Sequence, residues 1–170
     1  MIQNVIKKNE VFNLEKKVVD VNRVIKVAEG GRKFRISALV VVGNGAGIIG
    51  YGIGKSNEVA EAVQKAENSA KKKLIKIPLL HKTIPHEVYG YYDGSYVFLK
   101  PATQGTGVKA GGVTRIICEL AGIENILSKN FRRNSKHNSL KATFCALQQL
   151  RDPISISKLR GVPFSKVFNG

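Results

Sequence analysis

Several residue types are rare or absent in this 170-residue sequence, which has no tryptophan, one methionine and two cysteines, Cys118 and Cys145. Two cysteines are too few for the disulfide framework of a small secreted domain, so we expect a reducing compartment. No run of about 18 apolar residues occurs, and we therefore expect no membrane-spanning helix. The first ten residues lack the apolar stretch of a signal peptide.

Acidic residues are scarce as well, because 12 Asp and Glu stand against 28 Lys and Arg, a formal net charge of +16. Such a charge repels itself in a compact chain and indicates a polyanionic partner, either nucleic acid or an acidic membrane face. The apolar fraction of 43% excludes a disordered basic tail. Because the basic residues alternate with apolar ones, they belong to folded faces, which favours nucleic acid.

Residues that could carry catalysis or bind a metal are few and poorly spaced. Pro85 separates His81 from His86, and together with His137 and the two cysteines they lack the spacing of zinc ligands. The cysteines are expected to pack in helices as small apolar residues. We therefore predict a non-enzymatic protein without metal or cofactor.

Alternating apolar residues predict a first unit over residues 17–77, after an N-terminal extension over 1–16. Strands are expected at 18–27, 33–42 and 48–54, forming an antiparallel meander. The face that the pattern predicts to be buried comprises Val19, Val21, Ile25, Val27, Phe34, Ile36, Ala38, Val40 and Val42. The opposite face carries Lys26, Lys33 and Arg35, which could meet phosphates.

A helix is predicted over residues 57–76, covering this sheet. Its inner positions would be Val59, Val63, Ala66, Ala70 and Leu74, at spacings of three and four. Glu58 and Glu61 in the first turn, and Lys71, Lys72, Lys73 and Lys76 near the end, suit the helix dipole. Pro78 is expected to stop the helix.

A linker over 78–83 is expected to lead to a second unit over 84–153. Strands at 84–92 and 95–100 flank the turn signal Asp93-Gly94, and a loop follows from Pro101 to Gly112. Residues 113–121 predict a helix that ends at Gly122, and a strand is expected within 123–131. Leu140, Phe144 and Leu147 mark a last helix that Pro153 would end, before a basic tail over 154–170. The fold class is α+β with two small domains.

The glycine-rich stretch GNGAGIIGYGIGKS, residues 43–56, comes close to two nucleotide-binding motifs. Gly45 to Gly50 matches G-x-G-x-x-G, but the chain then continues as an extended pattern instead of the required helix. A Walker A loop ending at Lys55-Ser56 would need glycine where Ile49 stands. Two compatible interpretations remain: close backbone packing, and approach of an RNA backbone to main-chain N–H groups beside Lys55.

A second glycine-rich loop, residues 104–112, opens the predicted helix. Free N–H groups at a helix N-terminus are a natural anion site, either for a small phosphate or for RNA. An ordinary connection between two elements is an equal alternative at this point.

Motifs in both halves resemble one known family. Val21-Asn22-Arg23-Val24, Gly30-Gly31-Arg32, the glycine-rich stretch and EVAEAVQKA are followed by FLKPATQGTGVKAGG, Arg115 and LAGIENILSK. In this order they resemble bacterial small-subunit ribosomal protein five, over roughly residues 15–168. The family usually has a basic residue where Glu29 stands, and other residues at Asn44, Ala46 and Ile48. A Gly-Ser-x-Asn-Pro turn is replaced by residues 132–136, which adds cations.

The resemblance implies a double-stranded-RNA-binding-like βββα unit followed by a two-layer, βαβ-containing unit of ribosomal-protein type. It implies binding to small-subunit ribosomal RNA near the messenger entry path and the central pseudoknot. The loop 25–31 would lie beside the spectinomycin site. The surface around Gly107 and Arg115 would adjoin small-subunit protein four and affect decoding accuracy, with protein eight a further neighbour.

We therefore expect a structural, RNA-binding protein of the ribosome, in the cytoplasm or in an organelle that makes its own ribosomal proteins. No small-molecule substrate and no membrane partner is expected. The alternatives are a phosphate- or nucleotide-using enzyme of kinase-like fold on the second unit, and a free-standing double-stranded-RNA regulator. The expected RNA-binding residues are Arg23, Lys26, Gly30, Gly31, Arg32, Lys33, Arg35, Gly45, Gly47, Tyr51, Lys55, Gln104, Gly105, Thr106, Lys109, Arg132, Arg133 and Lys136.

Overall fold

Two four-stranded sheets form the framework of the computed structural model, which describes residues 13–131 and 135–169. The first sheet has the strand order β1-β2-β3-β4 and is antiparallel throughout. Its elements are β1 (Glu15–Ala28), β2 (Gly31–Gly43), β3 (Ile48–Ser56), the helix α1 (Val59–Lys71) and β4 (Leu74–Lys76). The antiparallel meander followed by a helix is as predicted from the alternating pattern.

The second sheet has the order β5-β6-β8-β7, with β7 and β8 parallel and the other pairs antiparallel. Helix α2 connects the two parallel strands, so this unit contains the expected βαβ arrangement. The elements are β5 (Val88–Tyr92), β6 (Ser95–Pro101), β7 (Val108–Lys109), α2 (Gly112–Ala121), β8 (Ile126–Asn130), α3 (Lys136–Gln148), α4 (Pro153–Arg160) and α5 (Phe164–Asn169).

Turn chemistry explains the best-predicted elements of the second unit. Asp93 and Gly94 both have positive φ, 42° and 81°, as a two-residue hairpin turn requires. Gly122 has φ 80° and caps the last turn of α2, because only glycine adopts that conformation without strain.

Four features of the predicted secondary structure were wrong. The helix predicted over 57–76 ends at Lys71, because Leu74–Lys76 pairs with β3 as a fourth strand, so Pro78 does not stop it. Pro153 does not end a helix either: α3 stops at Gln148, and Pro153 is the first residue of α4, where its missing N–H costs nothing. The predicted tail contains α4 and α5, and the predicted loop 101–112 contains β7.

The predicted buried face of the first two strands is correct at one end only. Val40 and Val42 pack with Ala66 and Ala70 of α1. Further along, Val21 is 41% exposed, and Ile25, Val27 and Phe34 are 46–74% exposed, since β3 ends opposite Ile36 and does not reach these three. The opposite face was expected to be open, but Leu39 and Val41 on it are buried in a second cluster.

That second cluster joins the two units into one hydrophobic core. It runs from Leu39, Val41 and Ile49 of the first sheet to side chains of the second sheet and of helices α2 and α3, including Ile117, Leu120 and Phe144. Residues 78–83 were predicted to be a linker, and both flanking isoleucines, Ile77 and Ile84, belong to this core.

The glycines of β3 explain how α1 lies so close to the sheet. Gly50, Gly52 and Gly54 face the helix, whose facing side is built from Ala62, Ala66 and Ala70. A Cβ on Gly52 would stand 2.5 Å from the backbone nitrogen of Ala70 and closer still to the carbonyl oxygen of Ala66. These glycines are therefore packing residues, which confirms the close-approach interpretation of the glycine-rich stretch.

This packing predicts a specific stability difference. Gly52→Ala should lower the free energy of unfolding by about 1–3 kcal/mol, because the helix must move away from the strand. Urea denaturation measures the change.

Gly112→Ala is the matched control, because a Cβ at Gly112 meets open space and the residue begins α2. It should leave stability unchanged or raise it by about 0.4–1 kcal/mol. Equal effects of the two substitutions would contradict the close approach.

Candidate nucleic-acid interface

The outer part of the β1–β2 hairpin extends beyond the rest of the sheet. The last residue of β3, Ser56, pairs with Ile36, and beyond it five pairs from Val24↔Arg35 to Ala28↔Gly31 form a two-stranded ribbon. Every residue from Val21 to Arg35 is exposed except Val24, which is partly buried. Glu29 and Gly30 form the tight turn at its tip, and Gly30 and Gly31 have positive φ, 91° and 123°.

Five basic residues lie on or next to this ribbon and are divided between its faces. Directly opposed residues of an antiparallel pair point to the same face, so the pairing places Lys26, Lys33 and Arg35 on one face. Arg23 and Arg32 are on the other, and the Arg23 guanidinium carbon lies 4.1 Å from the centre of the Phe34 ring.

The ribbon cations are available to an external anion. Within the described part of the chain, no ion pair involves any of the five, and Glu29 at the tip is the one acidic residue between Val21 and Arg35. The register agrees with the predicted position of Lys26, Lys33 and Arg35 on one face, and with Arg23 and Arg32 on the other, both faces are open here and both carry positive charge.

The loop between β2 and β3 has a different role from the one predicted from sequence. The N–H groups of Gly45 and Gly47 donate to the carbonyl oxygens of Leu120 and Ala121, at 3.0 and 2.9 Å. These are the last residues of α2, whose terminal carbonyls need partners. The two N–H groups that were expected to face RNA thus connect the first sheet to the second unit.

Tyr51 and Lys55, the two residues of β3 that were predicted to bind RNA, lie in different environments. Tyr51 is half-buried and meets Phe144 edge-on, with ring centres 4.7 Å apart, in the core between the units. Lys55 is exposed and lies beside Ser37, on the same sheet face as Lys33 and Arg35. Only Lys55 therefore extends the positive charge of the ribbon.

The loop before α2 is organised by Asn125, a residue that no sequence pattern singled out. Its side-chain oxygen accepts from the N–H groups of Gly105 and Gly107, at 3.0 and 3.2 Å, and the residue is 5% exposed. Both glycines have positive φ, 90° and 74°. Gln104 and Lys109 remain exposed on this loop, while the Thr106 hydroxyl lies 3.2 Å from that of Thr103.

Ion pairs occupy two of the other predicted residues. Lys136 donates to Asp20 of β1 at 2.7 Å, which ties α3 to the first sheet. Arg115 pairs with Glu119 at 3.3 Å, and Glu119 also accepts from Lys17 of β1 at 2.8 Å. Both basic side chains are more than half exposed, so they keep a solvent-facing surface. Arg132 and Arg133 lie outside the described residues.

The titratable groups of the described residues do not form a catalytic site. Burial raises the pKa of the Cys118 thiol to about 12, so it stays protonated and inert. Burial also lowers the pKa of His137, aided by the nearby Lys141 charge. Among residues 13–131 and 135–169, no cluster of three or more His, Cys, Asp or Glu could hold a metal, and no helix could cross a membrane.

Comparison with known families identifies the chain. Residues 14–78 match the family model described as "Ribosomal protein S5, N-terminal domain", and residues 90–160 match that of its C-terminal domain. The chain belongs to the ribosomal protein S5 family. Membership confirms the resemblance, and it makes the chain a structural ribosomal protein of the small subunit and not an enzyme. The nucleotide-using alternative has no support.

Relatives in this family cover almost the whole chain, and each is named "Small ribosomal subunit protein uS5". The protein of Flavobacterium psychrophilum is 50% identical over 159 residues, 94% of this chain and 91% of the relative. That of Porphyromonas gingivalis is 45% identical over 170 residues, covering 100% and 99%. That of Salinibacter ruber is 47% identical over 154 residues, covering 91% and 88%.

The hydrogen bonds of Asn125 predict how replacing this residue should affect the loop before α2. Asn125→Ala should destabilise the protein by about 1–3 kcal/mol, because two N–H groups in partly buried hydrogen bonds lose their acceptor. Amide hydrogen exchange at Gly105 and Gly107 should accelerate. Asn125→Asp keeps an acceptor oxygen and should restore much of the protection, whereas equal exchange in all three proteins would show that Asn125 does not order the loop.

The ion pair between Asp20 and Lys136 predicts a pH effect. The hydrogen bond from Lys136 holds the pKa of the Asp20 carboxyl below its ordinary value of 3.8 in the folded protein. The pair therefore contributes stability that is fully present above about pH 5 and is lost as pH falls through 3.8 and below. Because the pair is near the surface, the contribution should be under about 1 kcal/mol.

Urea denaturation of the parent and of Asp20→Asn from pH 7 to pH 3 measures this contribution. The stability difference between the two proteins should shrink at the acidic end. It should be small and independent of pH when both carry Lys136→Gln. A difference that is constant with pH in the Lys136 background would contradict the assignment.

Proposed function

We propose that this chain binds small-subunit ribosomal RNA through its β1–β2 ribbon and thereby acts as a structural element of the small ribosomal subunit. One observation carries the proposal: a two-stranded ribbon projects beyond the core with five basic residues on two exposed faces. An isolated hairpin is only marginally stable in water, so a ribbon of this kind gains from a partner that covers it.

The chemistry of the ribbon suits a phosphate backbone. Arginine presents a planar fork of donors that can bind phosphate in a bidentate manner, and lysine supplies point charge. Because the ribbon has cations on both faces, it can lie between two RNA segments and neutralise both. The glycine tip, Gly30-Gly31, has no side chains and permits close approach of an RNA backbone. Such contacts select RNA by shape more than by sequence.

Other predicted residues extend this surface in our proposal. Lys55 adds charge beside the ribbon, and Gln104 and Lys109 are exposed on the loop ordered by Asn125. We keep Arg132 and Arg133 in the proposed RNA-binding surface because of their charge. We treat Gly45, Gly47 and Tyr51 as residues that position the interface, since their groups are used within the core. The order of three antiparallel strands and a helix supports the comparison with a double-stranded-RNA-binding unit, over residues 17–77, with the second unit over 84–153.

We further propose that small-subunit proteins four and eight are neighbours and that the chain lies near the messenger path, where it supports decoding accuracy. Arg115 supports this proposal because it is 57% exposed beside the Gly107 loop. All the relatives named above are bacterial, which favours a ribosome in the bacterial cytoplasm over that of an organelle.

Salt dependence tests the ribbon. The triple variant Arg23→Ala, Arg32→Ala, Arg35→Ala should bind small-subunit ribosomal RNA more weakly. It should also lower the slope of log affinity against log salt, by roughly 0.7–0.9 for each phosphate that the variant no longer neutralises. Filter binding at several salt concentrations gives both quantities.

Lys72→Ala, Lys73→Ala and Lys158→Ala together form the charge-matched control, because these exposed lysines lie at the end of α1 and on α4, away from the ribbon. The control should leave the slope nearly unchanged, and an equal fall in both triple variants would remove the ribbon from the interface. Sedimentation of the native protein decides the assembly: failure to travel with small ribosomal subunits would instead favour a free-standing RNA regulator.

A further inference from the structure

Among the residues that the structure describes, no helix covers one face of the second sheet. Helices α2 and α3 pack on the side formed by Val88, Val97, Leu99 and Ile126, all of which are buried. Because side chains alternate along each strand, the residues between these point to the opposite face of the sheet. This face shares only Lys109 with the RNA-binding surface proposed above, it includes no residue of the ribbon, and neither core cluster uses it.

The register of the strands shows which residues lie side by side on this open face, in rows that run across the sheet. Tyr91 lies opposite Tyr96, and Phe131 follows β8 with its N–H donating to the carbonyl of Tyr96. The next row is Tyr89, Phe98 and Lys129. The third is Lys100, Leu127 and Lys109. We call these nine residues the aromatic face.

Aromatic rings dominate this surface. Five of the protein's 12 aromatic residues (5 Tyr and 7 Phe) are on it, and Tyr89, Tyr91 and Phe131 are 48%, 59% and 57% exposed. Tyr89 stacks on both Phe98 and Tyr96, with ring centres 4.6 and 5.6 Å apart and interplanar angles of 26° and 15°. The rings thus form a stacked platform, and those of Tyr89, Tyr91 and Phe131 keep large areas exposed to solvent.

The charge around the platform is positive. The three lysines of the aromatic face are exposed, and none of them is in an ion pair within the described ranges. Glu87, immediately before β5, is the acidic residue that the strand alternation places at the margin of the aromatic face. Lysine is depleted in protein–protein interfaces, whereas aromatic rings flanked by lysine are typical of surfaces that bind single-stranded nucleic acid.

We propose that the aromatic face binds unpaired nucleotides of RNA, with bases stacked on Tyr89, Tyr91 and Phe131 and phosphates held by Lys100, Lys109 and Lys129. The proposal rests on the proposed RNA-binding function and adds a second site of different specificity. The ribbon contacts the backbone of folded RNA, while the aromatic face takes bases that are free to stack. A base offers a π-face whatever its identity, so this site has little sequence preference.

The test uses the full-length chain and an unstructured pyrimidine RNA of about 12 nucleotides, a length within the range that single-strand-binding folds cover. Fluorescence anisotropy measures its affinity. The double variant Tyr89→Ile, Tyr91→Ile retains apolar, strand-favouring side chains but removes two rings. It should bind this RNA at least about tenfold more weakly, in keeping with the stacking energy of one to two bases.

Three controls make the result specific. Tyr89→Phe with Tyr91→Phe keeps both rings and should bind as the parent does. Lys100→Gln with Lys129→Gln should weaken binding and reduce its salt dependence, whereas Lys72→Gln at the end of α1 should not. Thermal denaturation of each variant confirms that the fold is retained, and the lysine pair still tests the site if the isoleucine variant unfolds.

Two outcomes would overturn the proposal. One is parent-like affinity of the folded isoleucine variant for the unstructured RNA. The other is loss of association with small subunits without any loss of RNA affinity, which would assign the aromatic face to a protein partner. Failure of the ribbon proposal is distinguishable, because the arginine triple variant would then bind folded ribosomal RNA normally while the single-strand assay still responds to the tyrosines.

Discussion

Close approach of backbone to backbone is the constraint on which the rest of this structure depends. Gly52 and Gly54 let α1 lie directly on β3, and Gly90 does the same for α3 on β5. At the junction of the units, a Cβ on Gly43 would stand 2.8 Å from the carbonyl carbon of Leu120. Both layers of the fold and their joint therefore need positions without side chains, and larger residues there would push the elements apart.

This packing fixes the second unit against the base of the hairpin. The N–H groups of Gly45 and Gly47 donate to the last two carbonyl oxygens of α2. Leu39 and Val41 insert into the core that α2 and α3 share. One part of β2 is consequently buried on both faces, while its outer part is exposed on both. A ribbon anchored in this way keeps a defined direction relative to the second sheet, although it has no core of its own.

Residue patterns predicted the elements that local chemistry determines. Period-two alternation located the three long strands, Asp93-Gly94 located a hairpin and Gly122 ended α2, since each of these signals acts within a few residues. The errors arose where partners distant in sequence decide. Leu74 fits the helical spacing of α1, yet pairing with β3 places it in a strand, and Leu39 fits an open face until the second unit covers it. The role of Asn125 has no local signal, because its acceptor oxygen serves N–H groups 18 and 20 residues away.

The ion pairs show where the protein uses its few acidic residues. Asp20, Glu67 and Glu119 each bind a lysine from another element, Lys136, Lys16 and Lys17. Acids are thus placed where they hold the sheets and helices together, and the ribbon is left with Glu29 alone. The net charge of +16 is therefore not spread evenly over the surface. Internal pairing thus occupies carboxylates of the frame, whereas no carboxylate of the described residues pairs with the ribbon cations in place of phosphate, so these cations stay available to an RNA.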